Sequence, residues 1–149
     1  KREVGSCALG TPRDAVNLAA IVEKETRKAA ERPIVASVYC NRLRIGMKLD
    51  ADPTVIYPIT KGKPLGRRIL KSELNEITGY NTYREPGLPA GPITNPGRAS
   101  IEAVLHPART DFLYFVADGT GGHVFAKTLA EQDANKAKWF AIRRARGEM

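Results

Sequence analysis

Two cysteines, two histidines and a single tryptophan among 149 residues narrow the chemistry that this sequence can carry. Cys7 and Cys40 are too few for a disulfide-dense scaffold or a thiolate zinc cluster, although one disulfide between them is open. His106 and His123 stand apart, each without a ligand partner nearby in sequence, so a metal site is not expected. No apolar run approaches the roughly 18 residues of a membrane span, and no signal-like segment opens the chain. The sequence starts Lys1-Arg2-Glu3 without an initiator Met, which reads as a domain excised from a longer protein whose anchor or export signal lies outside it. There is no internal repeat.

What is present suits one soluble globular domain: 42% hydrophobic and 27% charged residues, in a length that holds one core. Twenty-four Lys and Arg against sixteen Asp and Glu give a net charge of +8, which favours an anionic neighbour without choosing one. A nucleic-acid reading would rest on Arg42, Arg44 and Lys48, on the basic stretch from Lys61 to Lys71, and on Arg143-Arg144-Ala145-Arg146. Those runs lack interleaved aromatics for base stacking, so a solvated basic face is the simpler account. Gly119, Gly121 and Gly122 precede His123-Val124-Phe125 instead of the Lys and Ser/Thr of a phosphate loop, and read as a hairpin turn.

Helix signals are local and repeated. Thr11-Pro12-Arg13-Asp14 supplies a cap, a first-turn proline and an acid, and predicts a helix whose apolar residues from Val16 to Val22 cover more than one face, as in a central helix. A second helix is expected over 33–43, stopped by Gly46. Leu49 to Ile59 reads as an extended piece and then a helical turn that Asp52 could cap; Lys71 to Ile77 reads as a short helix. Gly79 to Gly97, punctuated by Pro and Gly, predicts a long shaped loop of the kind that forms a lid or binding wall. A helix from Asn95-Pro96 to His106, a strand over 112–117, a returning strand at His123-Val124-Phe125 and a final helix boxed by Thr128 and Glu131 complete the reading. The expected fold is α+β: a single, mainly helical domain with a small β-sheet and a long ordered cleft loop. His106 is read as capping or packing, His123 as organising its loop, Cys40 as a small interior side chain, and Trp139 and Phe140 as core.

Glu23 and Glu25 are the informative acids. Two positions apart on a helix places them roughly 200° apart, so they cannot form a same-face carboxylate pair and must have separate roles. Both are approached by apolar residues, and a carboxyl against apolar surface can keep its proton near neutrality for donation to a leaving oxygen.

Around these acids lie Ala19-Ala20-Ile21-Val22-Glu23-Lys24-Glu25-Thr26, Val35-Ala36-Ser37-Val38-Tyr39 leading into Asn41-Arg42-Leu43, and Leu49-Asp50-Ala51-Asp52-Pro53-Thr54-Val55-Ile56-Tyr57. Further on come Tyr80-Asn81-Thr82-Tyr83, Gly87-Leu88-Pro89-Ala90-Gly91-Pro92-Ile93, His106-Pro107-Ala108 and Leu113-Tyr114-Phe115-Val116-Ala117-Asp118-Gly119. In this order the segments resemble the catalytic domain of the YceG-like endolytic murein transglycosylases, the MltG family, over about residues 15–138.

The resemblance implies a catalytic domain over 11–142, after a lead-in or linker over 1–10 and before a basic tail over 143–149. It puts Glu23 first as the essential catalytic glutamate, with Glu25 the closest rival, and makes Asn81, Thr82 and Tyr83 a polar wall of a glycan cleft. Asn41, Arg42, Asp52 and Thr54 would complete or brace that wall. It implies no metal and no cofactor. The implied reaction cleaves the bond between N-acetylmuramic acid and N-acetylglucosamine in peptidoglycan, leaving a 1,6-anhydromuramyl end, with one glutamate serving as acid and then base. Peptidoglycan strands are the implied substrate and cell-wall synthases the candidate partners, with no nucleic acid. The implied place is the extracytoplasmic side of the cytoplasmic membrane, with the tether outside these residues. A silent peptidoglycan-binding domain and a basic nucleic-acid-binding domain are the competing readings.

Overall fold

The structure, a computed structural model, describes Cys7 and residues 9–147. Residues 1–6 and 8 of the expected lead-in, and 148–149 of the expected tail, lie outside the described residues. The fold is mainly helical with one two-stranded sheet, as the sequence pattern indicates.

Helix α1, Pro12–Glu25, begins where the cap predicts: the Asp14 N–H donates to Thr11 Oγ1 at 3.1 Å, and a proline occupies the first turn. Leu18, Ala19, Ala20, Ile21 and Val22 are fully buried, so α1 is the central element and not a surface helix. A buried Leu or Ile contributes about 1.5–3 kcal/mol by leaving water, which fixes α1 between its neighbours. Helix α2, Arg32–Ile45, follows a 3-10 turn at Ala29–Glu31. It closes at Gly46, whose φ of +75° is the left-handed angle that only glycine adopts cheaply. Cys40 on α2 forms a disulfide with Cys7, Cα atoms 4.7 Å apart.

Helix α3, Asp52–Thr60, is longer than the turn expected there, and Asp52 does not cap it. The capping position is Ala51, and the Asp52 carboxylate instead accepts from the Tyr83 hydroxyl at 2.5 Å. Helix α4 is only Lys71–Leu74. It stops short of Ile77 because the Asn81 amide takes the carbonyls of Glu73, Leu74 and Glu76 at 2.9–3.2 Å and turns the chain. The long loop after it is ordered, with Asn17 donating to Pro89 O at 2.7 Å and Ile93 inserted into the core.

Helix α5, Arg98–Leu105, packs on α1 and α2, and His106 caps its end. Strands β1, Tyr114–Ala117, and β2, His123–Ala126, pair antiparallel with Ala117 opposite His123. Helix α6, Leu129–Ala145, carries the expected capping box and lies against β1, so residues 143–145 of the expected tail are helical. A two-stranded sheet offers α6 too narrow a surface to bury a side chain completely, and none of its residues is buried. The expectation that Trp139 and Phe140 are core is therefore corrected: Trp139 is half-buried and Phe140 is 37% exposed. Among the described residues, no helix is long and apolar enough to cross a membrane.

Candidate active site

Glu25 is the last residue of α1, and Thr26 leaves the helix in extended conformation. A carboxylate there faces the negative end of the helix dipole, which disfavours its charge. Removal from water acts in the same direction and more strongly, and the nearby Asp52 adds to it. Against these, the Tyr39 hydroxyl donates to Glu25 Oε2 at 2.5 Å, and His123 and Arg42 favour ionisation. Burial wins, and the Glu25 carboxyl is pushed from its ordinary 4.5 up to about 7.

Glu23, on the other side of α1, has the opposite environment. The Gly97 N–H donates to its Oε1 at 3.0 Å and the Ser100 hydroxyl at 2.8 Å, so Glu23 clamps the start of α5. These bonds hold its carboxyl below the ordinary range, with Arg32 and Lys24 helping against a smaller cost of burial. The separate roles anticipated from helix rotation are thus a pinned carboxylate and a carboxyl that holds its proton.

Two surface depressions of about 640 and 520 Å³ adjoin along one face. They share Glu25, Ala117, His123 and Trp139, so they form one groove with Glu25 at its middle. Glu23 lines only the first, together with Thr94 and Asn95 from the long loop. Arg42, Asp50, Asp52 and Tyr83 line the second.

The other expected site residues divide into those that face the groove and those behind it. Asp52 and Tyr83 face it as a bonded pair. Arg42 also reaches it, but its guanidinium is occupied: it donates to the carbonyls of Leu113, Lys48 and Leu49 at 2.7, 2.8 and 3.2 Å and lies 3.7 Å from Asp50. Asn41 is buried and donates to the carbonyls of Thr110 and Phe112, both at 2.9 Å. Thr54 and Thr82 are buried and bond each other at 2.9 Å, while Thr82 Oγ1 accepts the Ala51 N–H. Asn81 is buried with its amide on α4. Asn41, Thr54, Asn81 and Thr82 therefore brace the wall from behind and do not present polar groups to the groove.

Arg42 ties α2 to the strand entrance and to the 48–49 segment at once, which one ammonium cannot do. Arg42→Lys is expected to lower stability by about 2 kcal/mol through carbonyls left without donors, measurable as a lower urea midpoint at unchanged slope.

Sequence reasoning passed over the aromatic and imidazole side of the groove. Trp139 lies under the guanidinium groups of Arg143 and Arg146, each 5.9 Å from its ring. His123 packs edge-on to Phe115 at 5.2 Å, and Phe115 packs edge-on to Tyr39 at 5.8 Å. An aromatic chain thus links the Glu25 partner to the β-hairpin. Asp50 has φ +50°, a left-handed angle tolerated by Asp, which bends the chain into the groove wall.

This arrangement occurs in a chain that matches the YceG-like family over residues 3–138. The chain belongs to that family. Similar proteins include the endolytic murein transglycosylase of Bacillus subtilis, 44% identical over 126 residues, covering 85% of this chain and 34% of that protein. An endolytic murein transglycosylase of Streptococcus pneumoniae is 35% identical over 134 residues, covering 86% and 24%. Among solved structures, a YceG-like protein of Listeria monocytogenes has a TM-score of 0.75 at 39% identity, covering 82% of this chain and 39% of that one. The chain thus spans about a quarter to two fifths of these relatives. In this YceG-like domain, residues of the helical body, the hairpin and α6 line the groove.

Proposed function

We propose that this domain cuts peptidoglycan glycan strands as an endolytic lytic transglycosylase, with Glu25 as the proton donor. The observation that carries the reading is the Glu25 carboxyl, at the middle of an open groove and pushed up to about 7. With that value a substantial share of the carboxyl is protonated near neutral pH, and it can pass its proton to a bridging oxygen lying across the groove. Glu23, the first choice from the sequence, is a poorer donor because two hydrogen bonds stabilise its ionised form. It acts as a positioning residue that joins α5 to α1.

In the reaction, the bond between muramyl C1 and the bridging oxygen breaks as that oxygen takes the Glu25 proton. The C6 hydroxyl oxygen of the same muramyl ring bonds to C1, and its proton leaves to a base. The product is a 1,6-anhydromuramyl end, with no water consumed. In the one-carboxyl route the newly formed Glu25 carboxylate is that base. Holding nucleophile and C1 within one sugar makes the attack intramolecular, which removes the entropic cost of bringing in a second reactant. Trp139, which lines both depressions with Glu25, gives the groove an aromatic surface, and the Tyr83–Asp52 pair gives the second depression a polar edge. The long loop, through Thr94, Asn95 and Tyr83, supplies wall on both sides.

On this reading the substrate is the nascent strand outside the cytoplasmic membrane, the tether belongs to other parts of the protein, and cell-wall synthases are partners that deliver the strand. Mass analysis of purified glycan strands treated with the protein tests the reaction. Ends lighter by one water than a hydrolysed end are expected. Water-added ends would show a hydrolase, and unchanged strands bound by the protein would show a binding domain.

A further inference from the structure

The groove holds a second proton-transfer group that the one-carboxyl route does not use. His123, at the start of β2, lines both depressions beside Glu25. Its ring is fixed from behind. Glu31 Oε1 lies 2.8 Å from Nδ1, and Glu31 Oε2 accepts the His123 main-chain N–H, also at 2.8 Å. Glu31 is held in turn by the Thr26 hydroxyl, on the residue after Glu25, at 3.2 Å. A Cβ at Gly122 would come within 2.7 Å of Glu31 Oε2, so a side chain there would push this carboxylate from its place. Phe115 closes one side of the imidazole.

A carboxylate on Nδ1 selects the tautomer that carries its proton there and leaves the Nε2 lone pair available, the logic by which an acid orients a catalytic base. Nε2 has no hydrogen-bond partner among the described residues and is not among their buried polar atoms left without one, so it is open to solvent on a residue that lines the groove.

We propose that His123, oriented by Glu31, is a second catalytic residue whose Nε2 takes the proton of the muramyl C6 hydroxyl while Glu25 protonates the leaving oxygen. The proposal rests on the transglycosylase reading above. One carboxyl serving both oxygens must finish donating before it can accept, so attack has to wait for bond breaking. With two groups, the C6 proton moves to Nε2 as C1–O6 forms, the Glu25 proton moves to the bridging oxygen as its bond to C1 breaks, and the imidazolium afterwards returns a proton to the Glu25 carboxylate. No other reactant is needed.

The rate then requires Glu25 protonated and His123 neutral, which gives a bell-shaped dependence of kcat/KM on pH. The charged groups that line the groove with His123 are Glu23, Lys24 and Glu25 from α1, Arg27 after it, Arg42 from α2, Asp50, Asp52 from α3, and Lys136 and Arg146 from α6, while Glu31 bonds its ring and Lys28 lies beside Gly122.

The test uses the intact protein on purified glycan strands, following anhydro ends against pH. His123→Asn keeps an amide donor for Glu31 while removing Nε2. It is expected to melt and bind strands like the parent, lose about 10²–10⁴-fold in kcat/KM and lose the acid limb while keeping the alkaline one. Glu31→Gln is expected to keep both limbs with the acid limb moved to lower pH, and added imidazole is expected to restore part of the rate of His123→Ala. A parental rate in His123→Asn, or a lower rate with the acid limb intact, would overturn the proposal. Glu25→Gln run in parallel separates the failures: an active Glu25→Gln sinks the transglycosylase assignment of Glu25, whereas an inactive Glu25→Gln beside a fully active His123→Asn sinks only the role of His123.

Discussion

Glu25→Gln is expected to stop the formation of anhydro ends, with a loss of about 10²–10⁴-fold, while Glu23→Gln keeps the reaction within about tenfold of the parent. The amide at position 25 keeps the size and can still accept from Tyr39, but has no proton to give. At position 23 the amide oxygen can still accept from Gly97 and Ser100, so the change weakens a charge-assisted clamp and leaves the chemistry in place. Single-turnover measurement on defined strands, with folding checked by near-ultraviolet circular dichroism, decides between the two acids. If Glu23→Gln were the silent variant and Glu25→Gln the active one, the roles would be reversed.

The second large effect is on stability. The folded state holds the Glu25 proton up to about 7, whereas the unfolded chain releases it near 4.5. Between those values the folded protein binds the extra proton, so its stability is fully present below the lower value and declines as pH rises through the upper one. The whole decline is about 3 kcal/mol, from roughly 1.4 kcal/mol for each pH unit separating the two values. Glu25→Gln removes that dependence. Measured relative to its difference from the parent at pH 5, the variant is expected to gain about 2–3 kcal/mol at pH 8, a shift of roughly 5–10 °C in melting temperature. The parent thus loses ground to its inactive variant as pH rises, because its groove holds a carboxyl where a charge is poorly accommodated.

These predictions concern a distinction that sequence reasoning could pose but not resolve. Helix rotation separates Glu23 from Glu25, yet the difference in their proton affinity comes from tertiary structure: hydrogen bonds from the distant Gly97 and Ser100 lower it at Glu23, and burial with Asp52 nearby raises it at Glu25. The same limit hid His123, whose partner Glu31 lies 92 positions away. Local signals fared better. The Thr11 cap, the Gly46 stop, the hairpin turn and the Thr128–Glu131 box each bring together atoms within a few residues, so α1, α2, the sheet and α6 were legible where they stand.

Trp139 shows why the outer layer was not legible. A helical aromatic has the same spacing whether it meets a thick core or a thin sheet, and only the width of the sheet leaves this ring in the groove. Asn81 and Thr82 show the converse. The family resemblance implied a polar wall there, but a proline-rich loop has many main-chain groups to satisfy, and these side chains satisfy them. Behind the groove, Asn81 and Thr82 hold the wall in shape by facing inward.

The proton on Glu25 can be observed directly. Carbon-13 detection of the glutamate side-chain carboxyls across a pH series is expected to give Glu25 a midpoint near 7 and Glu23 one below 4.5. A Glu25 midpoint at the ordinary value, or a higher one for Glu23, would contradict the account.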